Sequence, residues 1–303
     1  MANEIYGRYW RLSLGAEGEL IELGSQDGDH AAKIRFGTSL HADSMLQVAE
    51  ITLFGLSADT RQKIYDRYTK VRLVAGYVGR FGPVFDGTIY NVAVGRDGPD
   101  TSITMYCRSG GEAWERSFFN KTFGPGTPVT EILRDVASSF KEPVLFVGDW
   151  SDIPNTLGSL TLCGTAKNIM QKLRRNWAFN WNLSGGQVVI GRLGATLDQG
   201  EYIPVIAGDS GMVGSPVVRE YGVDVTVKMR SDIAVHNTVR VENVTAEVGF
   251  ASPGSAAYQG TIGTGDYTVR LIAHTGDSES DTWETHLGCW NPRVAQLSRV
   301  EQL

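Results

Sequence analysis

Glycine sets the tightest limit on what this chain can become. Thirty-six glycines against ten prolines divide much of the 303-residue sequence into short runs rich in Val, Ile, Thr and Tyr. Runs of that composition and length are strands joined by turns, so a mainly β chain is expected. In the first third they are Tyr9–Leu14, Lys33–Phe36, Val48–Phe54, Val71–Tyr77, Val84–Val94 and Ser102–Cys107. One helix interrupts them. In SADTRQKIYDRYT, Ser57 is placed to cap the first turn, Asp59 suits the positive end of the helix dipole, and Ile64 and Tyr68 fall four apart on one face. Arg96-Asp-Gly-Pro-Asp100 reads as a turn. Strands of this length bridged by a short helix suit a small closed or nearly closed barrel.

The period changes at Thr127. In TPVTEILRDVASSF, Pro128 stands where a first helical residue is favoured, and Ile132, Leu133, Val136, Ala137 and Phe140 trace an apolar stripe that must end before Pro143. A second helix runs from Thr165 with Ala166, Ile169, Met170, Leu173 and Trp177 on one side. It leads into the hairpin AFNWNLSGGQVVIG, which predicts Phe179, Trp181 and Leu183 on one strand face and Asn180 and Asn182 on the other. Strand character returns in Pro216–Lys228, Thr238–Val244, Tyr267–His274 and Thr282–Cys289, predicting a second barrel. The fold class is therefore mainly β with a small α/β insert: two similar β-barrel domains, 1–110 and 201–290, flank an α/β middle domain, 111–200, and 291–303 forms a tail. The echo of Val71-Arg-Leu-Val-Ala75 in Val269-Arg-Leu-Ile-Ala273 suggests that these are equivalent strands of a repeat.

Charge narrows the partners. The formal net charge of −6 and the absence of a basic run argue against a protein that holds nucleic acid by its phosphates. Residues 201–303 carry 7 basic and 13 acidic side chains, so the acidic excess lies in the last third. Three widely spaced cysteines, Cys107, Cys163 and Cys289, give neither a disulfide framework nor a metal motif, and are read as buried thiols of a reducing compartment. The start lacks the pattern of a signal peptide, and no run approaches the roughly 18 apolar residues of a membrane helix, so assembly in a cytoplasm is expected.

The motif with the sharpest chemistry is GDSG, Gly208 to Gly211, the letters that surround the nucleophile of trypsin-like proteases. Met212 stands where the oxyanion pocket wants glycine, and the upstream histidines, His30 and His41, lie in Asp- and Ser-rich turns. Ser210 is read as a turn residue. His236, His274 and His286 form no metal-ligand spacing, Gly276–Thr285 lacks the acid ladder of a calcium loop, and Gly260–Gly265 opens no helix that could hold phosphate. No catalytic, cofactor-binding or metal residue is assigned.

Six stretches carry a resemblance: AEITLFGLS leading into the first helix, the GYVGRFGPVFDGTI hairpin, the TPVTEILRDVASSF and WNLSGGQVVIG elements, SPVVREYGVDVTVKMRSDIAVHNTVRVENV, and YTVRLIAHTGDSESDTWETHLGC near the end. Together they resemble the baseplate hub proteins of contractile phage tails, related to late-control D proteins and to the hub part of VgrG proteins. The resemblance implies a non-enzymatic, cofactor-free homotrimer whose barrels form a ring between the sixfold tail tube and the threefold central spike. DNA would pass through this ring without specific binding. Partners would be tube protein, spike and other baseplate proteins, in a virion assembled in the host cytoplasm. Within that picture Asp277, Glu279, Asp281 and Glu284 are possible channel-facing acids, with a solvated outer turn as the alternative. The small-residue stretch 249–265 is a candidate partner-binding loop. Val84–Val94 and Val217–Val227, free of Lys and internal Pro, are candidate pairing edges. A tail-associated hydrolase and a carbohydrate-binding β module remain as other readings.

Overall fold

A computed structural model describes residues 7–16, 19–26, 29–30, 32–43, 46–66, 68–97, 100–200, 202–219, 222–242, 247–248 and 264–291. The first region holds β1 (Arg8–Ala16), β2 (Glu19–Gln26), β3 (Asp29–His30), β4 (Lys33–His41), β5 (Val48–Phe54), α1 (Ala58–Asp66), β6 (Lys70–Tyr77), β7 (Arg80–Asp97) and β8 (Asp100–Arg108). Alternation decides which face turns inward: Trp10, Leu12 and Leu14 of β1 and Ala49, Ile51 and Leu53 of β5 are buried, with polar residues between them. The Ser57 hydroxyl accepts the Thr60 N–H at 3.1 Å, the cap expected from the sequence and worth about 1 kcal/mol.

The middle region contains α2 (Gly111–Arg116), β9 (Phe118–Phe123), α3 (Val129–Ser138), β10 (Val144–Val147), β11 (Leu160–Thr165), α4 (Ala166–Trp177), β12 (Phe179–Ser184) and β13 (Gln187–Arg192). Strands β10, β13 and β12 form one small sheet, and β9 pairs with β11. The predicted stripes of α3 and α4 are the buried faces. Pro128 is extended, with ψ 138°, and precedes the helix instead of beginning it. Gly185 and Gly186, at φ +58° and +72°, make the tight turn of the β12–β13 hairpin. Asn180 and Asn182 are buried as fully as Phe179, Trp181 and Leu183, so the strand is covered on both faces.

The last region contains β14 (Val205–Ile206), a 3-10 turn (Gly208–Ser210), β15 (Met212–Arg219), β16 (Gly222–Lys228), β17 (Thr238–Val241), β18 (Glu247–Val248), β19 (Gly265–Asp277) and β20 (Trp283–Trp290). The single run Pro216–Lys228 is in fact a hairpin, with Arg219 opposite Gly222. Most of the loop 249–265 and the tail beyond Asn291 lie outside the described residues.

Strands of the first and last regions join in one 15-stranded sheet, and the described pairings follow an open path that closes no barrel. Inside this sheet one motif occurs twice. The order β4-β5-β8-β7-β6 recurs as β15-β16-β20-β19-β17, with the same chain order and antiparallel sense. The register repeats too. One row across the first set, Ser39–Val48–Arg108–Thr88–Lys70, matches the row Arg219–Gly222–Trp290–Thr268–Thr238 across the second. A bulge falls one step beyond that row in both, between Ile89 and Asn91 and between Val269 and Leu271. The cross-strand ion pair Arg72–Asp86, 3.8 Å, has its counterpart in Arg240–Asp266, 2.7 Å. This register corrects the expected equivalence of VRLVA and VRLIA. Val71-Arg72-Leu73 of β6 corresponds to Val239-Arg240-Val241 of β17, whereas VRLIA lies in β19, the counterpart of β7.

The two sets meet where β4 pairs antiparallel with the second half of β19, Arg35 opposite Asp277 through His41 opposite Leu271. Gly276 sits opposite Phe36 in this seam, and a Cβ there would lie 2.5 Å from the Phe36 ring and 2.7 Å from Trp283. Glycine is required by that close approach. Three apolar clusters fill the interior: one within the first set, one in the middle region, and one within the second set. Trp283 and Met229, from the last region, are buried in the first cluster.

Candidate assembly interfaces

The acidic turn between β19 and β20 lies against basic residues of the first region. Asp277 is buried and its Oδ2 is 3.2 Å from Arg35 Nε, while Glu279 is 2.8 Å from Lys33 and Asp281 is 4.0 Å from Arg8. Burial works against the Asp277 charge, yet the N–H groups of Glu279 and Ser280 and the Arg35 guanidinium hold its carboxyl below the usual range. Glu284, in β20 opposite Lys228, is partly buried. Of the four acids singled out in the sequence, three therefore face cations of β1 and β4 and help to tie the two strand sets together.

Beside this turn, Trp283 donates its indole N–H to the Gly76 carbonyl at 2.8 Å and meets Phe36 edge-on at 5.3 Å. A second junction centres on Asp43, just past β4. Its carboxylate is 3.1 Å from the buried Arg270 of β19 and 3.7 Å from Arg174 of α4, so one acid bridges all three regions. Burial pulls the Arg270 guanidinium below its ordinary pKa in spite of Asp43. No sequence motif marked Asp43, because its partners lie 131 and 227 residues away.

A cleft of about 190 Å³ opens where the regions converge, with Gln47, Asp86, Asn182, Ser184, His236 and His274 among its lining. Desolvation raises the Asp86 carboxyl, against the pull of Arg72 and Lys70. His236 adopts φ +72° and its Nδ1 is 3.2 Å from the Ala195 carbonyl. His274 is enclosed, with Nδ1 2.9 Å from Thr285 Oγ1, and burial pushes its pKa down to about 4. His286 faces Thr226 instead. Among the described residues no group of three His, Cys, Asp or Glu is placed to hold a metal ion.

Ser210 closes the turn after β14. Its hydroxyl oxygen accepts the Ala207 N–H at 2.6 Å, and its proton faces the carbonyls of Val205 and Ala207, both at 3.1 Å. The GDSG letters thus describe a backbone tie. Cys107 and Cys289 are buried, and burial alone pushes the Cys107 thiol up to about 12. Cys163 is exposed on β11, contrary to the expectation of three buried thiols: β9 and β11 form a two-stranded ribbon whose outer face is wet.

Among the described residues, two edges of the large sheet have little or no strand cover. Strand β6 stops at Lys70, opposite Thr88, so β7 from Asn91 to Asp97 has β8 on one side and no partner strand on the other among the described residues. Tyr90 and Val94 on this stretch are 58% and 57% exposed. Among the described residues the outer edge of β15 carries only the two-residue β18, at Val217 and Val218. Val217–Val227 is not one edge as expected, since β16 lies inside the sheet between β15 and β20.

A twice-used strand motif, locked by charge at an internal seam and open at further edges, has the fold of phage tail proteins. The chain is similar to a 43 kDa tail protein of prophage MuSo2 from Shewanella oneidensis, with 12% identity, TM-score 0.57, and 95% of this chain and 98% of that one covered. It is likewise similar to a tail protein from Neisseria meningitidis MC58, with 12% identity, TM-score 0.58 and coverage of 94% and 97%. The c3393 protein of E. coli, described as a component of the type VI secretion system, shares 8% identity at TM-score 0.51, over 86% of this chain and 74% of its own. No curated protein matches the chain by sequence. A family model described as Baseplate hub gp41 matches residues 21–246. The chain belongs to this family of baseplate hub proteins, and it is a structural component of the phage tail. No helix among the described residues is long and apolar enough to cross a membrane.

Proposed function

We propose that this chain is the trimeric hub that joins the sixfold tail tube to the threefold central spike and leaves a channel for DNA. The observation that carries this reading is the repeated five-strand motif with its shared register. Three chains, each with two copies, present six similar sheets to a sixfold partner, while everything that is not repeated stays threefold. In this reading the first barrel-like unit spans residues 1–110, the α/β unit 111–200, the second barrel-like unit 201–290, and the tail 291–303 serves the threefold side. Closure of each unit into a barrel is a property of the assembled ring. The protein acts by shape and pairing, without a cofactor, and its partners are further copies of itself, tube protein, spike and neighbouring baseplate proteins. It enters the virion during assembly in the host cytoplasm, and the tail is of the contractile kind. Some of the acids Asp277, Glu279, Asp281 and Glu284 at the β19–β20 end face the channel, where weak repulsion lets DNA slide past. Only the charge not spent on Arg35, Lys33 and Arg8 acts on DNA, and only within the screening length of about 8–10 Å.

The test is mass. Light scattering coupled to size exclusion is expected to give three times the 33.0 kDa of one chain, alone at high concentration or with tube and spike protein added. A chain that stays single under all these conditions overturns the reading.

A further inference from the structure

The repeat makes the internal seam a template for a second contact. In the seam, β4 of the first set covers the part of β19 that follows the bulge, from Leu271 to Asp277. Matching the sets row by row, the counterpart of β4 is β15, and the counterpart of Leu271–Asp277 is Asn91–Asp97 of β7. These two counterparts are not paired with each other within one chain. They are the two open edges described above.

We propose that Asn91–Asp97 of one copy pairs antiparallel with β15 of a second copy, in the register that β19 holds on β4. This deepens the trimer reading and rests on it. Transferring the seam, where Ala273, His274 and Thr275 face Ser39, Thr38 and Gly37, puts Ala93 opposite Arg219, Val94 opposite Val218 and Gly95 opposite Val217 of the neighbour. Burial supports the transfer. Ile272 and His274 are covered where β4 pairs, at 4% exposure each, but their counterparts Val92 and Val94 are partly buried and 57% exposed. An exposed strand edge with an outward Val is a ready template for pairing with another chain. The short parallel strand β18 occupies Val217 and Val218 in the single chain and gives way to the longer antiparallel partner. The contact is heterologous, so it generates a closed ring when the turn per copy is 120°.

Directly opposed residues of an antiparallel pair have Cα atoms about 4.5–5.5 Å apart, within disulfide range. The test therefore uses Ala93→Cys with Arg219→Cys, and separately Gly95→Cys with Val217→Cys, in the full chain with the exposed Cys163→Ser. Under mild oxidation either pair is expected to move most of the protein into covalent multimers ending at a trimer on non-reducing gels. Single variants and the off-register pair Ala93→Cys with Met212→Cys should remain single chains. Circular dichroism and melting under reducing conditions, matching the parent, establish that the variants fold. A trimeric mass without register-specific cross-links overturns this contact and assigns the edge to another partner, while the hub reading stands. Specific cross-links that end in open or non-trimeric multimers support the contact and overturn the threefold reading. A monomer without cross-links overturns both.

Discussion

Among single residues, His274 couples this fold most directly to pH. Thr285 Oγ1 accepts the Arg230 N–H at 2.9 Å, lies 3.7 Å from Met229 Sδ and 2.9 Å from His274 Nδ1, and full burial of the imidazole disfavours its charged form. Burial lowers the ring pKa from 6.5 to about 4, so between these values the unfolded chain binds a proton that the folded chain does not. The stabilisation is complete above pH 6.5 and is lost as the pH falls toward 4. At 1.36 kcal/mol per pH unit, urea unfolding should show a loss of about 2–3 kcal/mol between pH 7 and 4.5, most of it absent from His274→Asn. Equal losses in parent and variant would show that the ring is not the source. His236, lowered mainly by its own burial, works in the same direction and sets the remaining slope in the variant.

At the level of elements, the seam between β4 and β19 depends on the side chains beneath it as well as on its ladder. Trp283 is 1% exposed, fills the cluster of the opposite strand set and bonds Gly76 through its indole. Truncation to Ala leaves a large cavity and an unpaired carbonyl, an expected cost of about 3–5 kcal/mol in denaturant unfolding; a cost below about 1 kcal/mol would mean that the first core closes without it. Elements with strong periodicity were readable in the sequence: the stripes of α3 and α4, the Ser57 cap and the Gly185-Gly186 hairpin all stand where the pattern put them. Strands β2, β9 and β11 escaped because they have few buried positions, so no alternation forms. The β15–β16 hairpin escaped because its turn, between Arg219 and Gly222, carries no Asn-Gly or Asp-Gly signal. The repeat itself was invisible except as a misleading pentapeptide. It is conserved as register, a bulge and one Arg–Asp pair, while counterparts such as Tyr90 and Arg270 or Val94 and His274 differ in chemistry. The Asp43 junction and the seam were hidden because they join residues more than 130 positions apart, which no local pattern reports.

Across the whole molecule the distribution of cores sets the order of unfolding. The first and second strand sets share one sheet, the β4–β19 ladder, Trp283 and the ion pairs of the acidic turn, so neither can open without exposing the other. The middle region has its own apolar cluster, from Trp114 to Ile190, and its ties to the sheet are local ones that include the Leu46–Leu183 bridge, Ser109 donating to the Leu183 carbonyl, Arg174 beside Asp43, Arg108 beside Glu115 and the His236 carbonyl accepting the Leu197 N–H. Two cooperative units should result, a large one made of both sets and a smaller α/β one. Calorimetry is then expected to resolve two endotherms, the larger with about twice the enthalpy of the smaller, since unfolding enthalpy follows residue number at about 0.7 kcal/mol per residue near 60 °C. Variants assign them. Trp283→Ala should lower only the larger transition, and Leu173→Ala, buried under α4 at 1% exposure, only the smaller. Hydrogen exchange gives an independent check, with amides of β5, β8, β16 and β20 protected to the same free energy and those of β12 and β13 to a different one. One endotherm that both variants shift together would mean that the Asp43 junction couples the α/β unit to the sheet as tightly as the two strand sets are coupled to each other.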